Sequence, residues 1–490
     1  MLKTGEDHLK GLRDGRVVYV GRERVDDVTT HPAFRNAART IADFYDYKAD
    51  PANREAMAYT DEDGETVSMY YRRARTRDDL QARTTAHRLL AEQSYGFLGR
   101  SPDYIASFVT GMTLRPDYFE DRSDNLLNFY DHMRRNDTYA AHAIVSPQAV
   151  RDPKYYQQSK TESPCCRVVR EEEDGVVVSG MKMLATGGIL ADEIWVGNIL
   201  PLAPDALAES ITFSMPVATP GLSLWSRKPI EPTARSEFDA PFSWKYDETD
   251  AMVMFDEVKI PWERVIVHND AIRSRGLYIE TAAHSYGNHH SNVRFMVKLQ
   301  LLVGLASRVA QANGADKIPA VAETLGRLAA MEGMISGVVA GQIHAAEEFP
   351  TPGYLTYNRR MMYAGLNWGV ENYSPIIDTL RELCGGGVLQ MPADISLMED
   401  PVLRHQFETF WATPNNNAVD RMKIFKLAWD LVGSEFAGRH QQYEKFFPGA
   451  SFIVRNHNHR EAPWEAWHGM VDSILDRMEV PGGSTLKAAE

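Results

Sequence analysis

The sequence predicts an α+β protein built from three consecutive parts: helices, then a small β domain, then a helical bundle. Three observations predict it. Apolar residues recur at helical spacing from about Pro32 to Met133, form strand-like runs from about Ala141 to Asp270, and return to helical spacing from about Tyr278. Strands and helices come in separate runs, which argues against alternating βαβ units. No G-x-G-x-x-G run follows a strand, so no Rossmann dinucleotide site is indicated. The expected domains are an N-terminal helical domain over 1–140, a central β domain over 141–275 and a C-terminal helical bundle with a tail over 276–490.

A short strand, RVVYV from Arg16, precedes the first helices. DDLQARTTAHRLLAEQSYGFLGR reads as a long amphipathic helix with carboxylates in its first turn, where they meet the positive end of the helix dipole. In the β domain, CRVVREEEDGVVVSG reads as two strands joined at Asp174-Gly175, and EIWVGNIL, ITFSMPV and AMVMFDEVKI add further strands. Three long helices are expected in the bundle: NVRFMVKLQLLVGLASRVAQA, AVAETLGRLAAMEGMISGVVAGQIHAAEEF and AVDRMKIFKLAWDLVGSEFAGRHQQYEKFF.

Composition excludes several function classes. The net charge of −14 argues against a nucleic-acid partner, which needs a basic footprint. The longest apolar stretch near Leu299 falls well short of the ~20 residues that cross a bilayer, and the N-terminus lacks a signal-peptide core, so a cytoplasmic protein without a membrane partner is expected. Cys165, Cys166 and Cys384 cannot make a disulfide framework. His289-His290 and the pair His457 and His459 lack carboxylate or cysteine partners at ligand spacing, so no metal is expected. A nucleophile elbow of G-x-S-x-G type is absent.

Four segments could carry chemistry, and each has a plain structural alternative. In GRSPDY, Ser101 and Pro102 mark a helix start that leaves Arg100 and Tyr104 four apart across the turn; a capped helix with a surface arginine fits equally. In YAAHAIVSPQ, His142 lies in an apolar run, where a satisfied core histidine is the commoner role, and Gln148 follows a turn. MKMLATGG places Thr186 beside glycines that allow close approach of a flat ring, or simply make a turn. ELCGGGVLQMP exposes backbone N–H groups at Gly385, Gly386 and Gly387 that suit a phosphate, although a lone glycine run is a weak signal.

Taken in order, GRSPDY, HAIVSPQ, MKMLATGG, AMVMFDEVKIPWERV, ELCGGGVLQMP and DRMKIFKLAWDLVGSEFAGRHQQYEKFF resemble the oxygenase component of the 4-hydroxyphenylacetate 3-hydroxylase family, from about residue 1 to residue 450. The resemblance implies an acyl-CoA dehydrogenase-like fold and a homotetramer in which a neighbouring subunit completes the flavin site. It implies hydroxylation of a phenolic ring, ortho to the hydroxyl, through a C4a-hydroperoxyflavin formed from reduced FAD and O₂. A separate NAD(P)H:flavin reductase would supply the FADH₂. Arg100, Tyr104 and His142 would surround the phenol as the catalytic set. His142, Ser146, Gln148 and Thr186 would line the flavin, with Gly385, Gly386 and Gly387 on its adenosine-diphosphate side and Arg294 as a pyrophosphate partner. Two departures from the family pattern are Ser146 in place of the usual Asn and Cys384 in place of Ser. A pocket lid is expected between about Asn198 and Ser214. One alternative on the same fold is an acyl-CoA dehydrogenase-like flavoenzyme acting on a CoA thioester. The iron–sulfur dehydratase branch is set aside because the region around Tyr104 has no cysteine.

Overall fold

The structure, a computed structural model, describes residues 2–150, 156 and 161–478. The principal helices of the first part are α1 (Gly5–Gly11), α2 (Arg35–Ala49), α3 (Arg77–Glu92), α4 (Pro102–Met112) and α5 (Ser123–Asn136). The α3 helix starts at a capping box: Thr76 accepts from the Asp79 N–H and Asp79 reaches back to the Thr76 N–H. It is shorter than the sequence suggests and stops at Glu92. Gly96 follows with φ +73 in close contact with the Arg294 backbone, a position no Cβ could occupy. The apolar α4 helix is buried along its whole length.

Ahead of the bundle the strands are β1 (Val18–Val20), β2 (Glu23–Val25), β3 (Ala58–Thr60), β4 (Thr66–Ser68), β5 (Ala140–Ala143), β6 (Arg167–Glu172), β7 (Gly175–Thr186), β8 (Glu193–Val196), β9 (Thr212–Pro216), β10 (Leu222–Ser226), β11 (Asp250–Pro261) and β12 (Val265–Val267). β3 and β4 form a separate hairpin. The rest make one sheet in the order β12-β9-β8-β5-β7-β11-β10-β1-β2, with β6 paired to β7. The first strands therefore belong to the central sheet, not to the helical part that surrounds them in sequence. The hairpin between β6 and β7 closes with Glu172 opposite Gly175.

Register does the positioning. β5 runs parallel to β8 with His142 opposite Trp195, and it meets β7 with His142 opposite Thr186. Side chains directly across a ladder share a face. His142, Thr186 and Trp195 therefore form one row across three adjacent strands.

The bundle comprises α6 (Ala283–Ala312), α7 (Pro319–His344), α8 (Arg359–Cys384), α9 (Ala418–Val432), α10 (Glu435–Phe446), α11 (Ser451–Glu461) and α12 (Trp464–Leu475). The third long helix expected there is two helices. The α9 helix ends at Val432, the Trp429 ring occupies the space a Cβ at Gly433 would need, and Ser434 caps α10 by accepting from the Ala437 N–H. The apolar stripes of α6, α8 and α9 share one core that includes Leu302, Val309, Ile377 and Phe425. Among the described residues no helix is long and apolar enough to cross a membrane. Cys165, Cys166 and Cys384 are unpaired.

Candidate active site

One continuous cavity of about 390 Å³ lies where α4, the sheet and the bundle meet. Its size suits a small-molecule site. Phe108, Ile144, Leu184, Leu366 and Phe447 make most of its wall apolar, and its polar groups gather at two places.

The first gathering holds Arg100, Tyr104 and His142 together on the wall. Arg100 precedes α4, and its guanidinium lies over the Tyr104 ring at 4.0 Å from the centroid. The Arg100 backbone N–H donates to Glu248, and its Nη2 donates to the Phe447 carbonyl at 3.2 Å. Its Nη1 is buried with no hydrogen-bond partner, and so is the Tyr443 hydroxyl. Unspent buried polar groups are rare because each costs about 1–3 kcal/mol. The Tyr443 hydroxyl packs against Gly99, where a Cβ would collide with it, which leaves Arg100 Nη1 as the group free to meet a polar ligand atom. The nearby His142 Nε2 lies 3.0 Å from the Tyr278 hydroxyl. Burial, with the Arg100 charge second, pushes the His142 imidazole well below its ordinary pKa, so the ring is neutral.

The second gathering is ionic. The Thr186 hydroxyl donates to Asp250 Oδ1 at 2.7 Å. Asp250 also accepts from Arg227 Nε at 2.8 Å and from Arg439 Nε and Nη2 at 3.0 and 2.8 Å. Against the cost of burial, Arg439 and Arg227 hold the Asp250 carboxyl well below the usual carboxylate range. Val145 and Leu184 flank Thr186 on the same wall. A flat ring fits here, with an apolar surface for its face, a hydroxyl at its edge and guanidinium groups beside it. The residues present therefore fit a flavin ring against β7.

Other expected site residues lie elsewhere. Ser146 is half-buried and Gln148 exposed just past β5, outside the cavity wall. Gly385 and Gly386 are exposed at the end of α8, while Gly387 packs so tightly on Phe425 that a Cβ would collide with the ring. None of the three lines the cavity of its own chain. Arg294 is a correction. It is 1% exposed, and its Nη1 and Nη2 donate to Glu444 Oε1 and Oε2 at 2.7 and 3.0 Å. Both terminal nitrogens of that guanidinium serve the bundle core, which argues against a pyrophosphate role. Of the expected lid, Ile199 and Leu200 reach the cavity.

Sequence reasoning missed much of the wall. Asp250, Tyr278, His284, Arg439, Tyr443, Phe447, Ile453 and His457 all line the cavity. The stretch containing Arg439 and Tyr443 stood out only by resemblance; its helical spacing marks a face but not what the face meets. A further cluster lies behind Tyr104. His87 Nδ1 lies 2.7 Å from Asp103 Oδ2, and His290 Nε2 lies 3.4 Å from Asp103 Oδ1. These three buried groups converge within 4.8 Å although no metal motif links them in sequence. Ser101, the expected N-cap, donates to Asp103 Oδ1 at 2.6 Å instead of accepting from a backbone N–H.

Two family models match the chain: "4-hydroxyphenylacetate 3-hydroxylase N terminal" over residues 4–267 and "4-hydroxyphenylacetate 3-hydroxylase C terminal" over residues 274–476. The chain belongs to the 4-hydroxyphenylacetate 3-hydroxylase family. Among its relatives in this family, the 4-nitrophenol 2-monooxygenase oxygenase component of a Rhodococcus species is 32% identical over 92% of this chain and 87% of that one. The 4-hydroxyphenylacetate 3-monooxygenase oxygenase component of Thermus thermophilus is 32% identical over 92% of each chain. A crystal structure of the oxygenase component of 4-hydroxyphenylacetate 3-monooxygenase, complexed with FAD and 4-hydroxyphenylacetate, superposes with a TM-score of 0.91 at 29% identity, covering 97% of this chain and 98% of that one. An archaeal 4-hydroxybutyryl-CoA dehydratase, at 17% identity and a TM-score of 0.86, shares the fold. The acyl-CoA dehydrogenase-like architecture expected for the family is thus the one observed.

Proposed function

We propose that the cavity docks a phenol with its hydroxyl at Arg100, Tyr104 and His142 and its ring against a flavin lying along Val145, Leu184 and Thr186. The protein is the oxygenase component of a two-component flavin monooxygenase, using reduced FAD and O₂ on a phenolic substrate. The observation that carries the docking is the unpartnered Arg100 Nη1 beside Tyr104 and His142 in a cavity whose wall is mostly apolar.

Bound reduced flavin supplies the oxygen chemistry; the chain supplies position, charge and dryness. Arg100 places a fixed positive charge beside the substrate oxygen, which favours the phenolate and enriches the ortho carbon in electron density. His142 and Tyr104 hold that oxygen and orient the ring. Phe108, Phe447 and Ile453 exclude water from the reacting face. Donors of this kind typically contribute about 3–4 kcal/mol each to a barrier where charge develops.

The same reading includes a homotetramer, a separate NAD(P)H:flavin reductase and a cytoplasmic location. Two surface features support the assembly. Gly385 and Gly386 sit exposed outside their own cavity, where they can serve a flavin held by a second copy. Trp467, Met470, Val471 and Ile474 of α12 are exposed, an apolar face that a second copy would cover.

A CoA-thioester dehydrogenase reading needs a free carboxylate over the substrate. Asp250 is the one acid lining the cavity among the described residues, and it is committed to Arg227, Arg439 and Thr186. The deciding experiment supplies chemically reduced FAD, oxygen and a panel of phenols, then measures product mass and hydrogen peroxide. Ortho-hydroxylated product supports the reading. Peroxide alone with every phenol, together with reduction of the bound flavin by an acyl-CoA, overturns it.

A further inference from the structure

Tyr278 and Trp195, packed behind His142, decide which of its nitrogens carries the proton. The row set by strand register puts Trp195 beside it, and the segment leading into α6 brings Tyr278 to both. The Trp195 indole N–H donates to the Tyr278 hydroxyl at 3.2 Å, and the same hydroxyl lies 3.0 Å from His142 Nε2. Trp195 and Tyr278 are 1% and 0% exposed, and Tyr278 meets the cavity rather than bulk water.

Counting hydrogens favours one arrangement. An indole is a donor only, so Tyr278 accepts from Trp195. The Tyr278 proton then needs an acceptor, and His142 Nε2 is the one within reach among the described residues. A buried hydroxyl proton left without an acceptor would cost about 1–3 kcal/mol. Nε2 therefore accepts, and in a neutral ring the hydrogen sits on Nδ1.

We infer that Tyr278, backed by Trp195, is a positioning residue that fixes His142 as the Nδ1–H tautomer, so that His142 presents a donor to the substrate oxygen and the phenol docks as its anion. This rests on the reading that the cavity takes a phenol. It removes His142 from the role of the base that accepts the phenol proton. With Arg100 Nη1 it gives two fixed donors facing one oxygen, an arrangement that rewards O⁻ over O–H. The titratable and charged groups around His142 are Arg100 before α4, Tyr104 on α4, Tyr278, and His284 on α6. Glu248 and Tyr443 stand behind Arg100. None of these offers His142 a carboxylate that would draw a second proton onto the ring.

The test uses 4-nitrophenol as probe, because its phenol and phenolate absorb at different wavelengths. Binding to the full-length wild-type protein is expected to shift the probe toward phenolate below its free pKa. Tyr278→Phe keeps the ring and removes the lock. Its bound probe should ionise about one pH unit higher, and the acid limb of kcat/KM should move up with it. Trp195→Phe should give a smaller shift in the same direction. Imidazole ¹⁵N spectra of the wild type should show hydrogen on Nδ1 of His142, and Tyr278→Phe should mix the tautomers. Hydrogen on Nε2 in the wild type overturns the inference, as does a Tyr278→Phe profile identical to wild type. A probe that never binds overturns the phenol reading instead, while the ¹⁵N spectrum still reports the tautomer.

Discussion

Glu444 accepts from both terminal nitrogens of Arg294, Oε1 from Nη1 at 2.7 Å and Oε2 from Nη2 at 3.0 Å, with both side chains 1% exposed. Lys298 Nζ adds a second cation 2.5 Å from Oε1. The pair joins α6 to α10, the helix that carries Arg439 and Tyr443 to the cavity. Against burial, Arg294 and Lys298 pull the Glu444 carboxyl down from 4.5 to about 2. A carboxylate whose folded pKa is depressed stabilises the fold above its unfolded pKa and loses that contribution as pH falls toward the folded one. Glu444→Gln should therefore destabilise the protein at neutral pH by about 3–5 kcal/mol, since it strands the buried Arg294 guanidinium. The gap to wild type should narrow between pH 4.5 and about 2. Denaturant unfolding across that range measures both.

Arg100 is held at three points: its backbone N–H on Glu248, its Nη2 on the Phe447 carbonyl and its face on Tyr104. One terminal nitrogen is left for substrate. Arg100→Ala should lower the rate of product formation by roughly 10²–10³-fold, the cost of one lost donor to a developing oxyanion. FAD affinity should change little, because the Arg100 side chain makes no hydrogen bond to Thr186, Arg227 or Arg439 and alanine keeps the backbone N–H that shares Glu248 with Arg439. Arg100→Lys keeps the charge but not the planar fork, and should recover only part of the rate. Product assays beside FAD titration separate the two effects; equal loss of both would place Arg100 in cofactor binding.

The α12 helix buries none of its residues in its own chain. Deleting residues 464–490 should leave the fold of one chain intact and lower the mass of the assembly in light scattering. Flavin affinity should fall with it if the site needs a second copy. An unchanged mass would remove α12 from the interface.

Much of this was legible in the sequence, for physical reasons that differ from element to element. Periodicity reports which face of an element is buried, so the helical, β and helical order could be read directly. Ser101-Pro102 marked the helix start beside Arg100 and Tyr104, but the gathering of those two with His142 followed from the family resemblance and not from local pattern. Periodicity does not report partners across the fold. Arg294 looks like a cation available at a helix start, yet Glu444, 150 positions away, takes it. The break at Gly433 was hidden because α9 and α10 both keep helical spacing. The row of His142, Thr186 and Trp195 depends on strand register, which no local pattern in β5, β7 or β8 states.

The wall that closes the cavity opposite the sheet comes from the chain just after α10. Phe447, Ile453, Val454 and His457 line it, and His457 stacks on Tyr363 with centroids 4.5 Å apart. None of these four belongs to the trio that meets the phenol oxygen, so their volume sets how large a ring substituent fits. Trimming Ile453 to alanine removes carbon atoms from the wall without touching Arg100, Tyr104 or His142. Hydrophobic discrimination is worth about 1–3 kcal/mol per methylene, or 10–200-fold. Ile453→Ala should therefore raise kcat/KM for phenols with bulkier side chains by about tenfold relative to compact ones. The compact phenols should lose coupling, because a looser wall admits water. Ratios of kcat/KM across a graded phenol series, with peroxide measured in parallel, decide the matter. An unchanged ratio would mean that Ile199 and Leu200, on the opposite loop, set the limit instead.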